Sequence, residues 1–241
     1  MRRVMITGAS SGIGKALALR YAKLGWQVIA CGRNEERLAD IAAESEYISV
    51  MVFDMTDKGQ LQQVADSIGK LDLLILNAGD CIYIDDVMDF DAEGFEQIIN
   101  TNLVSVAYAL KAWLKQINKG GRLVLVSSSA ELLALPRAQA YGASKAALSY
   151  LGRVLSIDLA KHGIDVSIVR PGFVTTPLTA KNDFPMPMQI SPEKAAIEIV
   201  NGISKGKHCI DFPFGFIFIM KMLACLPFAL WRALALRMSP I

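Results

Sequence analysis

A chain of 241 residues with 25 basic and 23 acidic side chains carries almost no net field, which excludes a nucleic-acid binder built on bulk charge. Its two histidines, His162 and His208, stand far apart and away from any cluster of ligand residues, so no zinc site is expected. Cys31, Cys81, Cys209 and Cys225 lack C-x-x-C spacing and read as reduced, small apolar residues of a cytoplasmic protein.

Met1-Arg2-Arg3 runs straight into an apolar strand at 4–6, and Gly8 interrupts any export-signal core. That strand ends in Thr7-Gly8-Ala9-Ser10-Ser11-Gly12-Ile13-Gly14, inside which a helix over 13–24 begins. Glycines at this corner permit a tight turn and close approach of backbone to a pyrophosphate, and the helix N-terminus adds unpaired N–H groups. The spacing is G-x-x-x-G-x-G, not the commoner G-x-G-x-x-G; its place after a first strand makes it a dinucleotide site and not a mere corner. A strand over 28–31 follows and ends Cys31-Gly32-Arg33-Asn34. An NAD site would put a carboxylate here for the ribose 2′-OH, whereas an arginine suits a 2′-phosphate, so NADP(H) is expected over NAD(H).

Further strands are predicted at 49–53, 73–76, 123–126 and 166–169, with helices at 35–45, 61–68, 101–117 and 143–161. Short aliphatic runs alternating with helical periods imply β-α-β units, hence a Rossmann-like, doubly wound α/β fold with one parallel sheet covered on both faces. Gly25 and Gly163 cap two helices, and Ser191-Pro192 opens another. Between them, 177–189 holds Pro177, Pro185 and Pro187 with little periodicity, the text of a lid or binding loop.

The strongest chemical signal is Tyr141-Gly142-Ala143-Ser144-Lys145. One helical turn brings the two polar tips to one face. A tyrosine that exchanges a proton with a carbonyl or alcohol needs its pKa moved from about 10 toward neutrality, which an adjacent ammonium and an oxidised nicotinamide would promote. Ser127-Ser128-Ser129 follows the strand at 123–126, where a hydroxyl can share charge developing on the substrate oxygen. The glycine turn, Asn77-Ala78-Gly79, the serine run and Arg170-Pro171-Gly172 all follow strands directly, and ligands of open α/β sheets sit at those strand ends.

Together these motifs resemble the short-chain dehydrogenase/reductase family, from Thr7 to about Cys209. The resemblance implies Ser128, Tyr141, Lys145 and Asn102 as the catalytic tetrad: Tyr141 as acid/base, Ser128 polarising the carbonyl, Lys145 on the nicotinamide ribose, and Asn102 holding a water that leads toward Lys145. It implies a cofactor cradle of Gly8, Ser10, Ser11, Gly12, Ile13 and Gly14, with Arg33 at the phosphate and Asp54 at the adenine. Asn77, Ala78 and Gly79 would lie beside the adenosine ribose, and Pro171, Gly172, Val174 and Thr176 would hold the carboxamide. It also implies a homodimer or homotetramer built on the long helices. Leu76 departs from the family's N-N-A-G pattern, and Glu131 stands where glycine is frequent; a carboxylate there faces either the substrate mouth or, as expected of an isolated charge, solvent.

The chain thus reads as a dehydrogenase domain over 1–211, with its substrate loop at about 177–190, and an apolar, basic helical extension over 212–241 packed on it. No acid follows Asp211, and 212–231 is apolar around most of a helix. Lys221 and Pro227 oppose a spanning helix, which leaves a helical pair closing the cleft or an oligomer interface, or attachment to an anionic membrane surface. The expected activity is NADP(H)-dependent hydride exchange with a small, rather apolar carbonyl or alcohol. The competing class is a cofactor-sensing regulatory protein that keeps the fold without turnover.

Overall fold

The structure, a computed structural model, describes residues 1–238. Seven strands form it: β1 (Arg3–Thr7), β2 (Gln27–Gly32), β3 (Ile48–Val52), β4 (Leu71–Leu76), β5 (Ile117–Val126), β6 (Asp165–Pro171) and β7 (Cys209–Phe212). They pair in the order β3-β2-β1-β4-β5-β6-β7, every ladder parallel. The interior strands carry aliphatic runs such as 73–76 and 123–126 because helices cover both faces of the sheet. The chain reverses direction of winding between β1 and β4, so a crevice opens at their carboxyl ends.

On one face lie α1 (Gly12–Lys23), α2 (Glu35–Ala43) and α7 (Pro192–Ser204), which bury Leu17, Leu38, Ile41 and Ile199 against the sheet. On the other lie α3 (Lys58–Ala65), α5 (Ser105–Trp113) and α6 (Gln139–Asp158), contributing Leu61, Val106, Trp113 and Leu148. Polar caps start several of these helices. Asn34 accepts from Arg37 N, Asp57 from Gln60 N and Ser191 from Lys194 N, each satisfying an orphan donor. Gly152 lets α6 close on the sheet: a Cβ there would lie 2.8 Å from Ile168 Cγ1.

Three features differ from the sequence expectation. The helix expected at 101–117 starts earlier, as α4 (Ala92–Ile99), and passes through a π-helical stretch, Asn100–Val104, into α5. The helix expected from residue 143 begins at Gln139, so Tyr141 stands in its first turn. A short seventh strand, Cys209–Phe212, adds to the sheet edge beyond β6.

After β7 come α8 (Phe214–Ala224) and α9 (Phe228–Met238). Met220 and Trp231 bury against Leu133, and Trp231 Nε1 donates to Ala134 O at 2.8 Å. The two helices therefore lie on the segment that follows Ser128. Neither is long and apolar enough to cross a membrane, nor is any other described helix.

Candidate active site

A cleft of about 490 Å³ runs along the carboxyl ends of β1, β2, β4, β5 and β6. At one end the chain leaves β1 through Gly8 (φ 66°) and enters α1 at Gly12 (φ 54°), conformations that favour glycine. A Cβ on Gly12 would lie 2.9 Å from Thr176 Cγ2, inside the cleft. Gly14 is tighter still, since a Cβ would meet Gly8 O at 2.2 Å; its role is to seat α1 against the turn, not to line the cleft. No side chain caps the α1 N-terminus and no acid sits in its first turn, so its N–H groups and positive dipole end stay available to an anion. These residues fit a dinucleotide pyrophosphate.

Thr7 ties this turn to β4. Its Oγ1 accepts from Asn77 N (3.0 Å) and Ala78 N (3.1 Å), while Asn77 Nδ2 donates to Thr7 O (3.0 Å) and Gly8 O (3.3 Å). The amide of Asn77 thus holds the glycine turn in place from beneath. Beyond Gly32, Arg33 lines the cleft mouth with its side chain 73% exposed, NH1 3.5 Å from Asp54 Oδ2. Asp54 Oδ1 accepts from Thr56 N and Thr56 Oγ1, both at 2.8 Å. Burial acts to raise its carboxyl, but the Thr56 bonds and the Arg33 charge hold it below its ordinary range. Arg37, one helical turn on from Arg33, lines the same mouth and escaped the sequence reading.

At the inner end, α6 and the end of β5 bring Tyr141, Lys145 and Ser128 together. Lys145 is buried, its Nζ donates to Val126 O at 3.0 Å, and it lies 5.7 Å from the centre of the Tyr141 ring. Burial lowers its ammonium to about 8. Burial also pushes the Tyr141 phenol up to about 12, while a hydrogen bond with Ser128 acts the other way. Among the protein's own groups, the tyrosine is therefore held protonated and not near neutrality. The ammonium expected to lower it donates instead to the Val126 carbonyl.

Asn102 does not line the cleft. It lies fully buried behind Gly79, on the π-helical stretch. Its Oδ1 accepts from Asp80 N (2.8 Å) and its Nδ2 donates to Asp80 O (2.9 Å) and Ser144 Oγ (3.0 Å). The side chain is thereby committed to backbone and to α6, leaving little capacity to hold a water. A π-turn widens the helix by one residue where such a side chain must reach sideways. Ile13, Ser10, Ser11, Pro171, Gly172, Val174 and Thr176 line the cleft with Ala78 and Gly79.

Glu131 overturns its expectation. Only 4% of its side chain is exposed; Oε2 lies 2.9 Å from Ser127 Oγ and Oε1 accepts from Arg170 NH1 at 3.2 Å. Arg170 in turn makes a two-pronged pair with Asp211 (2.7 and 2.8 Å), and Lys221 Nζ reaches Asp211 at 2.6 Å. The reason is topological: Ser127 N donates to Val169 O across β5 and β6, so the residues beside Ser128 and Pro171 are neighbours. The loop after Val174 is fastened as well. Arg137 NH1 pairs with Asp183 at 2.8 Å, and Tyr83 donates to Asn182 Oδ1 at 3.1 Å.

Comparison with known proteins agrees with this geometry. The sequence profile described as short chain dehydrogenase matches residues 2–185. The chain belongs to the short chain dehydrogenase family. It is 35% identical over 247 residues to an uncharacterized oxidoreductase of Myxococcus xanthus (strain DK1622), covering 98% of this chain and 97% of that one. It is 36% identical over 188 residues to a 3beta-hydroxysteroid dehydrogenase of Mediterraneibacter gnavus, covering 74% of this chain and 68% of that one. Among solved structures, BdcA in complex with NADPH superimposes with a TM-score of 0.77 at 24% identity, covering 87% of this chain and 93% of that one, a likeness of fold. As a short chain dehydrogenase the chain is an oxidoreductase that uses a nicotinamide cofactor and a small-molecule substrate.

Proposed function

We propose that this dehydrogenase is an NADP(H)-dependent reductase of a small, rather apolar carbonyl compound, with Tyr141 as the acid that protonates the developing alkoxide. The observation that carries this reading is one continuous cleft: Tyr141, lining it with Ser128 and buried Lys145, closes one end, and the uncapped α1 N-terminus with Arg33 forms the other. A bound nicotinamide cofactor supplies or accepts the hydride. The pyrophosphate fits the turn from Gly8 to Ile13, and Arg33, with Arg37 beside it, gives a 2′-phosphate two forked cations.

The phenol is protonated in the cofactor-free protein, so it can act as the proton donor once the bound cofactor's positive charge lowers its pKa. Ser128 Oγ polarises the carbonyl while its position is fixed by Ala130 N, which donates to it at 3.1 Å. Lys145 orients the cofactor ribose and supplies positive charge under the phenol. Asn102 acts as a positioning residue that locks Asp80 and Ser144 around that pair. The four cysteines are unpaired thiols, in keeping with a reducing cytoplasm. Tyr150, Val154 and Ile157 expose one apolar face of α6, which suits the expected homo-oligomer.

The deciding experiment follows NADPH oxidation across a panel of aldehydes and ketones, with Tyr141→Phe as control. Turnover of at least one carbonyl, lost in the variant while NADPH still binds, supports the reading. Bound NADPH without turnover of any panel member would instead favour a sensing protein.

A further inference from the structure

The outer surface of α8 and α9 is apolar, exposed and basic. On α8, Ile217 and Met220 turn inward, while Phe214, Phe218 and Met222, spaced i, i+4, i+8, form an outward stripe; Phe214 is 80% exposed. On α9, Trp231 and Ala235 face the domain, and Leu230, Leu234 and Leu236 face away. Isolated exposed apolar residues are ordinary, but an apolar stripe along one helix followed by three exposed leucines on the next marks an interaction surface.

Charge selects its occupant. Lys221 is held by Asp211 at 2.6 Å, and beyond it the sequence offers the exposed Arg232 and Arg237 and no Asp or Glu. A second copy docking through the same patch would bring two patches of net positive charge together, because a two-fold interface uses the same surface on both subunits. An anionic bilayer complements both features, taking apolar side chains into the acyl boundary and cations at the phosphates. The helices are of 11 residues each, about 16 Å at 1.5 Å per residue, against a hydrocarbon core of about 30 Å, so they lie on a membrane and do not span it.

The same surface leads to the site. Phe216 of α8 packs on Gly172, where a Cβ would lie 2.7 Å from its ring. Its ring is 5.3 Å from Phe173, which is 6.1 Å from Phe184, itself 5.4 Å from Tyr83. Phe216 thus sets α8 against the cleft wall at Gly172, and an aromatic row runs from it to Tyr83.

We propose that the outer face of α8 and α9 docks on an anionic lipid surface, and that a membrane-dissolved carbonyl compound enters the cleft where Phe216 of α8 meets Gly172. The docking stands independently of the chemistry; the choice of substrate rests on the reductase reading above.

The full-length protein is tested by flotation with vesicles of phosphatidylcholine alone and of equimolar phosphatidylcholine and phosphatidylglycerol. Binding is expected on the anionic vesicles at about 0.1 M salt and to fall severalfold at about 1 M, where screening is nearly complete. Phe214→Ser with Phe218→Ser should weaken it about a hundredfold, and Arg232→Glu with Arg237→Glu about tenfold. Both pairs are exposed, and unchanged circular dichroism and NADPH affinity verify the fold. Recovery of wild type only in the soluble fraction overturns the docking. So does equal binding by all variants, or a fall from oligomer to monomer in light scattering of the phenylalanine variant without any vesicle binding, which assigns the face to a second copy.

The kinetic arm compares a long-chain ketone carried in anionic vesicles with a short water-soluble ketone. The phenylalanine variant should raise KM about tenfold for the first and leave the second unchanged. Equal effects on both overturn the route. Vesicle binding without reduction of either ketone leaves the docking standing and removes the reductase reading; reduction without vesicle binding does the reverse.

Discussion

Glu131 and Arg170 form an ion pair of 3.2 Å behind the reaction centre, with the carboxylate almost wholly out of water. One residue lies three positions past Ser128 and the other directly before Pro171, so the pair joins the wall that carries the serine to the turn beside the nicotinamide position. Removing one partner of such a pair leaves a buried charge with fewer contacts. Arg170 keeps Asp211, which moderates the loss. Glu131→Ala is expected to lower unfolding free energy by about 1–3 kcal/mol in urea titration, and Glu131→Gln by less than about 1 kcal/mol. Burial raises the Glu131 carboxyl despite the Ser127 and Arg170 bonds, so its contribution to stability is present at low pH and lost as pH rises through its raised pKa. Glu131→Gln should flatten that fall. A change within about 0.5 kcal/mol for the alanine variant rejects the pair as a structural tie.

Lys145 gives a pH signature of the opposite sense. Its folded value is about 8 against an ordinary 10.5, because burial disfavours the ammonium. Between these values the unfolded chain binds more protons than the folded one, so stability rises with pH. The contribution is fully present above 10.5 and lost as pH falls through about 8. Lys145→Met, of similar length and without charge, should remove that slope from the cofactor-free protein. Parallel stability curves for wild type and variant across this window would falsify the assignment.

Asp211 carries the acid-side counterpart. Burial acts to raise its carboxyl, yet the bonds from Arg170 and Lys221 leave it below its ordinary value of 3.8. Its stabilisation is present above the unfolded value and is lost as pH falls through the lowered folded one. Asp211→Asn should therefore cost about 1–3 kcal/mol at neutral pH and progressively less in strong acid. Undiminished cost at the acid end would place the effect in packing and not in charge.

Much of this architecture was legible because its signals are local. Strands β1, β2, β4, β5 and β6 are aliphatic runs closed by glycine or polar turns, and Tyr141 and Lys145 meet across a single helical turn. What escaped depends on sheet neighbours or on burial. Glu131 looked like a solvated charge because its partner Arg170 is distant in sequence and near only through the β5–β6 ladder. β7 is a four-residue edge strand, too short for a periodic signal. α4 follows an acidic, irregular stretch, and the π-helical turn that hides Asn102 breaks the helical period on which its neighbours were read. The phenol's protonation escaped for the same reason, since desolvation is a property of the packed site.

The cofactor phosphate gives the last test. Arg33 is largely exposed and faces Asp54 at 3.5 Å, so its guanidinium is not locked into the fold and can turn to a ligand. Arg37 lines the same mouth from the first turn of α2. Exposed charge pairs contribute little to stability, so Arg33→Ala should leave urea unfolding within about 0.5 kcal/mol of wild type. Its effect should fall on the ligand: a forked contact to phosphate is strong, and its loss is expected to weaken NADPH by about ten- to a hundredfold while NADH changes less than about threefold. Arg33→Ala with Arg37→Ala should bring the two cofactors to similar affinity. Titration of cofactor fluorescence measures both, and equal losses for NADPH and NADH would reject Arg33 as the phosphate contact.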